Sequence, residues 1–272
     1  MCGVPQPVVL IDARMVGAVL HGIARYVLQL SKGLAALQLQ KPLPYEPAFL
    51  VSEETELKEF HPFRTVRAQS SFLSPSEWLE VPWLARREKA ALFHSPSFMS
   101  LPRLGCPYVV TVHDLNHLQY GSSVQRIYYE VLLKRFLARA SAVVSVSDFS
   151  RQEVAQWMDW STERIFKVEN SINTEFQTPQ GVLRREYFLF VGNDKPHKNA
   201  VFIFEAYAKY RELLGARAWP LYTNVSPPQL MDGVIVFPGD ELPNLRKWIQ
   251  EAGAVLCPSL YEGFGLLPVE AR

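Results

Sequence analysis

The stretch FLFVGNDKPHKN (188–199) joins an unbroken apolar run to a turn, a basic pair and the start of a helical pattern. A run of this kind suits a strand buried on both faces, because a parallel sheet is covered by helices on each side. The same grammar recurs outward from it. VVLID (8–12), ALFHS (91–95), YVVTVHD (108–114), AVVSVSD (142–148), IFKVEN (165–170), VIVFPG (234–239) and AVLCPS (254–259) are short apolar runs ending at a polar residue or a glycine. Helical patterns lie between many of them. After Gly22, the positions Ile23, Val27, Leu30, Leu34 and Leu37 advance by four and three residues along one helix face. Residues 124–140, 148–158, 199–214 and 241–252 also read as helices, and Ser147 or Asp148 suits the N-cap of the one at 148. Strand–helix alternation of this kind predicts a doubly wound α/β architecture.

Composition bounds the function classes. The 272 residues allow one large or two modest domains. Twenty-eight Lys and Arg against 27 Asp and Glu leave a formal net charge of +1, too neutral for generic binding to a nucleic-acid backbone. Hydrophobic residues at 48% supply a sizeable core, but no apolar run approaches the ~20 residues of a membrane span. Cys2, Cys106 and Cys257 are too few and too scattered for a disulfide framework or a zinc ligand set. MCGVPQPVVLIDAR has no basic segment ahead of its apolar run, unlike a secretory leader. The expectation is a cytoplasmic protein.

Ligands in open parallel sheets bind beyond the carboxyl ends of the strands. Those ends carry Asp12, His94, His113, Asp114, Asn193, Gly239 and Glu262. In VGNDKPHKN (191–199), a helix start follows Lys198, and helix N-termini favour phosphate through their free N–H groups and dipole. A lysine there is also commonly just solvated. In PSLYEGFGLLPVEAR (258–272), Gly263 and Gly265 allow close backbone approach to a ligand. Glu262 and Glu270, seven residues apart, suit recognition of a sugar diol, because each carboxylate accepts two hydrogen bonds. A capping loop with a solvated glutamate is the plainer reading of the same residues. His113 and His117 stand at i, i+4, a spacing that binds metal only on a helix with a third ligand. Helix 124–140 carries Arg126, Lys134, Arg135 and Arg139 with Tyr128, Tyr129 and Phe136 between them. That combination fits either an anionic membrane surface or ordinary packing on the sheet.

Taken together, VGNDKPHKN and PSLYEGFG with its second glutamate resemble the donor site of family 4 retaining glycosyltransferases of the GT-B fold. DARMVGAVLHGIARYVLQL resembles the family's D-x-R…G-I-G-R-Y opening. SPSFMSLPRLGCPYVVTVHDL resembles its P…P-x-V-x-T-x-H-D-L stretch, and VVSVSDFSRQEV its V-S-x-x-S-R segment. The resemblance implies two Rossmann-like domains facing a cleft: an acceptor-side domain over 1–175, a linker over 176–186, and a nucleotide-sugar-binding domain over 187–272, the second incomplete. It implies that Lys198 neutralises the donor diphosphate beside Asn193, and that Glu262 holds sugar hydroxyls. The Gly263–Phe264–Gly265 backbone would line the diphosphate and sugar, and Glu270 the ribose diol. His113 would sit by the reacting sugar, with Gly17, Gly22 and Arg25 facing phosphates and acceptor. The implied reaction is metal-independent transfer of a sugar, with GDP-mannose as the donor, to a polysaccharide or lipid-linked oligosaccharide at the inner membrane face. The other reading is a truncated, weakly active or inactive chain that binds nucleotide sugar or a partner. Asn193 and Asp194 depart from an arginine common in the family, and Pro268 is displaced by one residue, which bears on the direction of Glu270. WPLYTNVSPPQL (219–230) offers only a poor second strand for the C-terminal sheet.

Overall fold

The computed structural model describes residues 6–17, 22–53, 55–101, 103–171, 182–238 and 242–271. The chain divides into two units, Met1–Ser171 and Ile172–Arg272.

The first unit runs β1 (Val8–Asp12), α1 (Gly22–Gln40), β2 (Glu46–Val51), β3 (Arg64–Arg67), α2 (Glu77–Arg87), β4 (Ala90–Ser95) and β5 (Tyr108–Val112). It continues with α3 (Asn116–Gln119), α4 (Ser123–Ile127), a π-helical stretch Tyr128–Leu133, α5 (Lys134–Arg139), β6 (Ala142–Ser145), α6 (Asp148–Met158) and β7 (Ile165–Lys167). The strands form one parallel sheet in the order β3-β2-β1-β4-β5-β6-β7. Alternation along β1 sends Ile11 to one face with Val27, Phe49 and Phe60, and Leu10 to the other with Val81, Leu84 and Leu133. Helices therefore cover both faces, as the apolar runs predict. The chain reverses its direction of travel across the sheet between β1 and β4, which makes a topological switch point there.

The second unit contains β8 (Arg185–Phe190), α7 (Ala200–Leu214), β9 (Leu221–Thr223), β10 (Val234–Val236), α8 (Leu242–Glu251), β11 (Ala252–Leu256) and α9 (Leu266–Glu270). Its parallel sheet has the order β10-β9-β8-β11, so the switch point lies between β8 and β11. Tyr187 and Leu189 pack with Ile249 on one face, while Phe190 packs with Ile203, Phe204 and Tyr207 on the other.

Several expectations need correction. β2, β3 and α2 are absent from the sequence reading. Pro47 masks β2, since a proline argues against an interior strand. Glu46 N donates to Pro7 O on the β1 side, so alternation turns position 47 toward β3, and β3 starts only at Arg64, opposite Ala48. The missing N–H therefore costs no ladder bond. Pro82 hides α2 in the same way. The runs ending at 114, 148 and 170 stop as strands at Val112, Ser145 and Lys167. Beyond β6, Ser147 Oγ accepts from Ser150 N at 3.0 Å and caps α6, so the chain has already turned into a helix. The weak stretch at 219–230 does form β9, which ends before Pro227 and Pro228. Of the expected linker 176–186, residues 176–181 lie outside the described residues, and Arg185 and Glu186 belong to β8. On the basic helix, Tyr129 and Phe136 are buried in the core and Tyr128 donates its hydroxyl to Phe98 O at 2.9 Å. Its aromatic rings serve packing on the sheet.

Candidate functional site

The carboxyl edge of the second sheet gathers most of the nominated residues around its switch point. Past β8, Gly192 N donates to Asn224 Oδ1 at 2.9 Å, and Asn224 Nδ2 returns a bond to Gly192 O at 2.9 Å. A Cβ at position 192 would lie 2.7 Å from the Phe190 ring, so the turn requires glycine. Asn193 is exposed, and its Oδ1 accepts from Lys195 N at 3.1 Å. A single 3-10 turn, Pro196–Lys198, and the left-handed Asn199 (φ 55°) then lead into α7.

Two bonds fasten this turn to the loop after β11: Leu260 N to His197 O at 2.8 Å, and Asn199 Nδ2 to Pro258 O at 3.3 Å. They bring Lys198 Nζ to 2.5 Å from Glu262 Oε1, although 64 residues separate the two. Both side chains remain part-exposed, so the pair itself adds little stability, about 0–1 kcal/mol. Its cation and carboxylate remain open to a ligand. Cys257 stands in the same electrostatic field: burial first, then the Glu262 carboxylate, push its thiol up, and Lys198 opposes them. Gly263 is buried and Phe264 half-buried. Gly265 takes φ 75°, a left-handed conformation that glycine adopts without strain, and opens α9. Glu270 at the end of α9 is buried.

The first unit holds the remaining candidates. Beyond β5, His113 Nε2 lies 3.0 Å from Pro96 O, a pairing in which the ring nitrogen donates. Ser150 Oγ donates to His113 O at 2.8 Å. The Tyr26 ring on α1 meets the imidazole edge-on at 4.9 Å. Behind it, Thr111 Oγ1 sits 3.3 Å from Tyr26 Oη and 2.9 Å from His94 Nε2. Burial, reinforced by His113, pushes His94 down to about 4, so it is neutral near pH 7. Gly17 follows β1 and Gly22 opens α1, and no described atom lies within 4 Å of where a side chain would stand at either position. Arg25 is half-buried on the same helix start, and burial pushes its guanidinium down. His117 Nδ1 pairs with Tyr129 Oη at 2.9 Å.

Sequence reasoning missed three features. Asn224 lies in a stretch read as a poor strand. Tyr26 carries no role of its own in the motif that contains it. Arg14 is the hub of a buried network: it donates to Asp12 Oδ2 at 2.9 Å, Glu77 Oε2 at 3.0 Å and Ser70 Oγ at 3.2 Å, fastening the end of β1 to the start of α2. Burial lowers Arg14, and its two carboxylates more than reverse this. Glu77 is raised by burial, with Arg14 opposing. The signal available was a D-x-R pair at a strand end, where charge that deep demands partners.

Two parallel α/β units, each with a switch point in its strand order, define a Rossmann-like architecture. The solved structure of WaaG, a glycosyltransferase involved in lipopolysaccharide biosynthesis, superposes with a TM-score of 0.67 at 16% identity, over 97% of this chain and 78% of that one, which assigns the GT-B fold. A family model described as Glycosyltransferase Family 4 matches residues 20–176, more than half of the sequence. The chain belongs to glycosyltransferase family 4. It is 29% identical over 175 residues to the O-antigen chain mannosyltransferase RfbU of Salmonella typhimurium, covering 60% of this chain and 48% of that protein. It is 27% identical over 224 residues to the O-antigen chain mannosyltransferase B of Escherichia coli, covering 70% and 56%. The chain thus spans about half the length of these curated relatives.

Proposed function

We propose that the chain acts as a retaining glycosyltransferase, moving a sugar, mannose in the first instance, from a nucleoside diphosphate sugar to a polysaccharide or lipid-linked oligosaccharide. The observation that carries this reading is the meeting of Lys198 and Glu262 at the switch point between β8 and β11. In this reading Lys198 and the first amides of α7 take the diphosphate, exchanging Glu262 for phosphate oxygens. Glu262 then accepts hydrogen bonds from the sugar hydroxyls. The Gly263–Phe264–Gly265 backbone approaches the bound donor, Asn193 borders the diphosphate, and Glu270 accepts from the ribose diol.

His113, with Gly17, Gly22 and Arg25, serves the reacting sugar and the acceptor. The Pro96 carbonyl and the Tyr26 ring orient the imidazole. As the glycosidic bond breaks, negative charge grows on the leaving phosphate. Lys198 and preorganised N–H donors meet it, a role that needs no divalent ion. Mannose is the first choice because two relatives are named mannosyltransferases.

The test is transfer from radiolabelled GDP-mannose to a mannose-terminated lipid-linked oligosaccharide, with the anomeric configuration of the product read by NMR. Transfer with retention is expected, and Lys198→Ala should lower kcat/KM by about 100-fold or more. Binding of the donor without transfer or hydrolysis would replace this reading with that of a nucleotide-sugar-binding chain.

A further inference from the structure

Two polar side chains, His94 and Thr111, interrupt an apolar face of the first sheet. Ile11 of β1 pairs with His94 of β4, and His94 pairs with Val109 of β5. Paired residues share a face and so do alternate ones, so His94 and Thr111 lie with Ile11 on the face that α1 covers. Val27 and Phe49 on that side are fully buried, and so is Thr111. A hydroxyl at such depth is costly unless it is bonded, and valine would fill the same space without that demand.

The Thr111 hydroxyl is bonded twice. Its Oγ1 lies 2.9 Å from His94 Nε2 and 3.3 Å from Tyr26 Oη. A threonine hydroxyl has one proton to give and lone pairs to accept, so it gives to one neighbour and accepts from the other. Burial pushes the Tyr26 phenol up, with the Thr111 bond opposing, so the phenol keeps its proton near pH 7. The chain of contacts ends at His113. The Tyr26 ring stands at 84° to the imidazole with 4.9 Å between centroids, and His113 Nε2 lies 3.0 Å from Pro96 O. Anchoring its hydroxyl fixes the plane of the phenol ring, and that ring limits rotation of the imidazole beside it. A half-turn of the imidazole about χ2 would put carbon where Nε2 now meets the carbonyl. Resting on the proposed role of His113 beside the reacting sugar, we infer that Tyr26 is a positioning residue for this imidazole. Thr111 and His94 hold its hydroxyl, and the chain keeps His113 in the Nε2–H tautomer.

Histidine-selective 15N NMR of the full chain tests this without any turnover, with His113→Ala assigning the resonances. At about pH 8, where an ordinary histidine is neutral, the wild type should show His113 as a single Nε2–H tautomer. Tyr26→Phe and Thr111→Val should each raise the Nδ1–H fraction by about fivefold or more. The double variant should go no further than either single one, because both break the same chain. Thr111→Ser keeps the hydroxyl and gives up a methyl, so it should match the wild type, whereas Thr111→Val keeps the volume and loses the bond. The opposite ranking, or an unchanged tautomer in Tyr26→Phe and Thr111→Val, would overturn the proposal, since packing would then be all that these residues supply. In the transfer assay, Tyr26→Phe should lower kcat by about tenfold at unchanged KM, with no further loss in the His113→Ala background. A further tenfold loss in that background would overturn the proposal, because Tyr26 would then act without His113. A wild type without turnover would sink the transferase reading alone, and the tautomer result would still decide this one.

Discussion

At the scale of single residues, the same chemistry does different work at different depths. Arg14 and Lys198 each pair with carboxylates, but Arg14 is buried with Asp12 and Glu77. Removing it would strand two carboxylates in the core, a change that typically costs about 3–5 kcal/mol. Lys198 and Glu262 are part-exposed, so their pairing is weak and exchangeable, as a ligand site requires. His94 shows how depth appears in pH dependence. Its ordinary value of 6.5 is lowered to about 4 by burial and the neighbouring His113, against the opposing pull of Asp12. The unfolded chain therefore binds the proton first, and stability is fully present above 6.5 and lost as pH falls toward 4. Between about pH 7 and pH 5 this one residue should remove up to about 2 kcal/mol, seen as a fall in the urea midpoint. In His94→Gln that part of the fall should vanish. An unchanged pH slope in the variant would show that other groups carry it.

Elements were legible where local pattern and tertiary role agreed. The apolar runs of β1, β5 and β8 are buried on both faces, and α6 announces its start through Ser147. β2 and α2 escaped because Pro47 and Pro82 contradict the local rule, and only the neighbouring strands show why Pro47 is harmless. The site was legible in part for the same reason. Lys198 and Glu262 follow strands and flank glycines, so a sequence pattern nominates them. Their contact depends on two bonds between the loops that follow β8 and β11, and on the Asn224 clamp, which belongs to no motif. Asn224→Ala removes both bonds to Gly192. The account predicts a loss of about 1–2 kcal/mol in urea unfolding followed by circular dichroism, with faster hydrogen exchange at the Gly192 amide. Unaltered exchange there would mean that the turn holds itself without Asn224.

At the scale of the whole molecule, both units repeat one plan. Each has a central first strand, a second strand to one side, and a return to the other side that opens a switch point. The near-neutral total charge now reads as a sum over unlike regions. The basic helix over 124–140, a buried acidic network around Arg14 and an open Lys198–Glu262 pair hide inside an overall +1. The central claim is that this pair is a nucleoside diphosphate site, and titration calorimetry of GDP, with UDP in parallel, tests it most directly. The account predicts one-to-one binding of at least one nucleotide to the wild-type chain without added divalent metal, weakened about tenfold or more in Lys198→Ala. Absence of binding by the wild type, or equal affinity in Lys198→Ala, would contradict it.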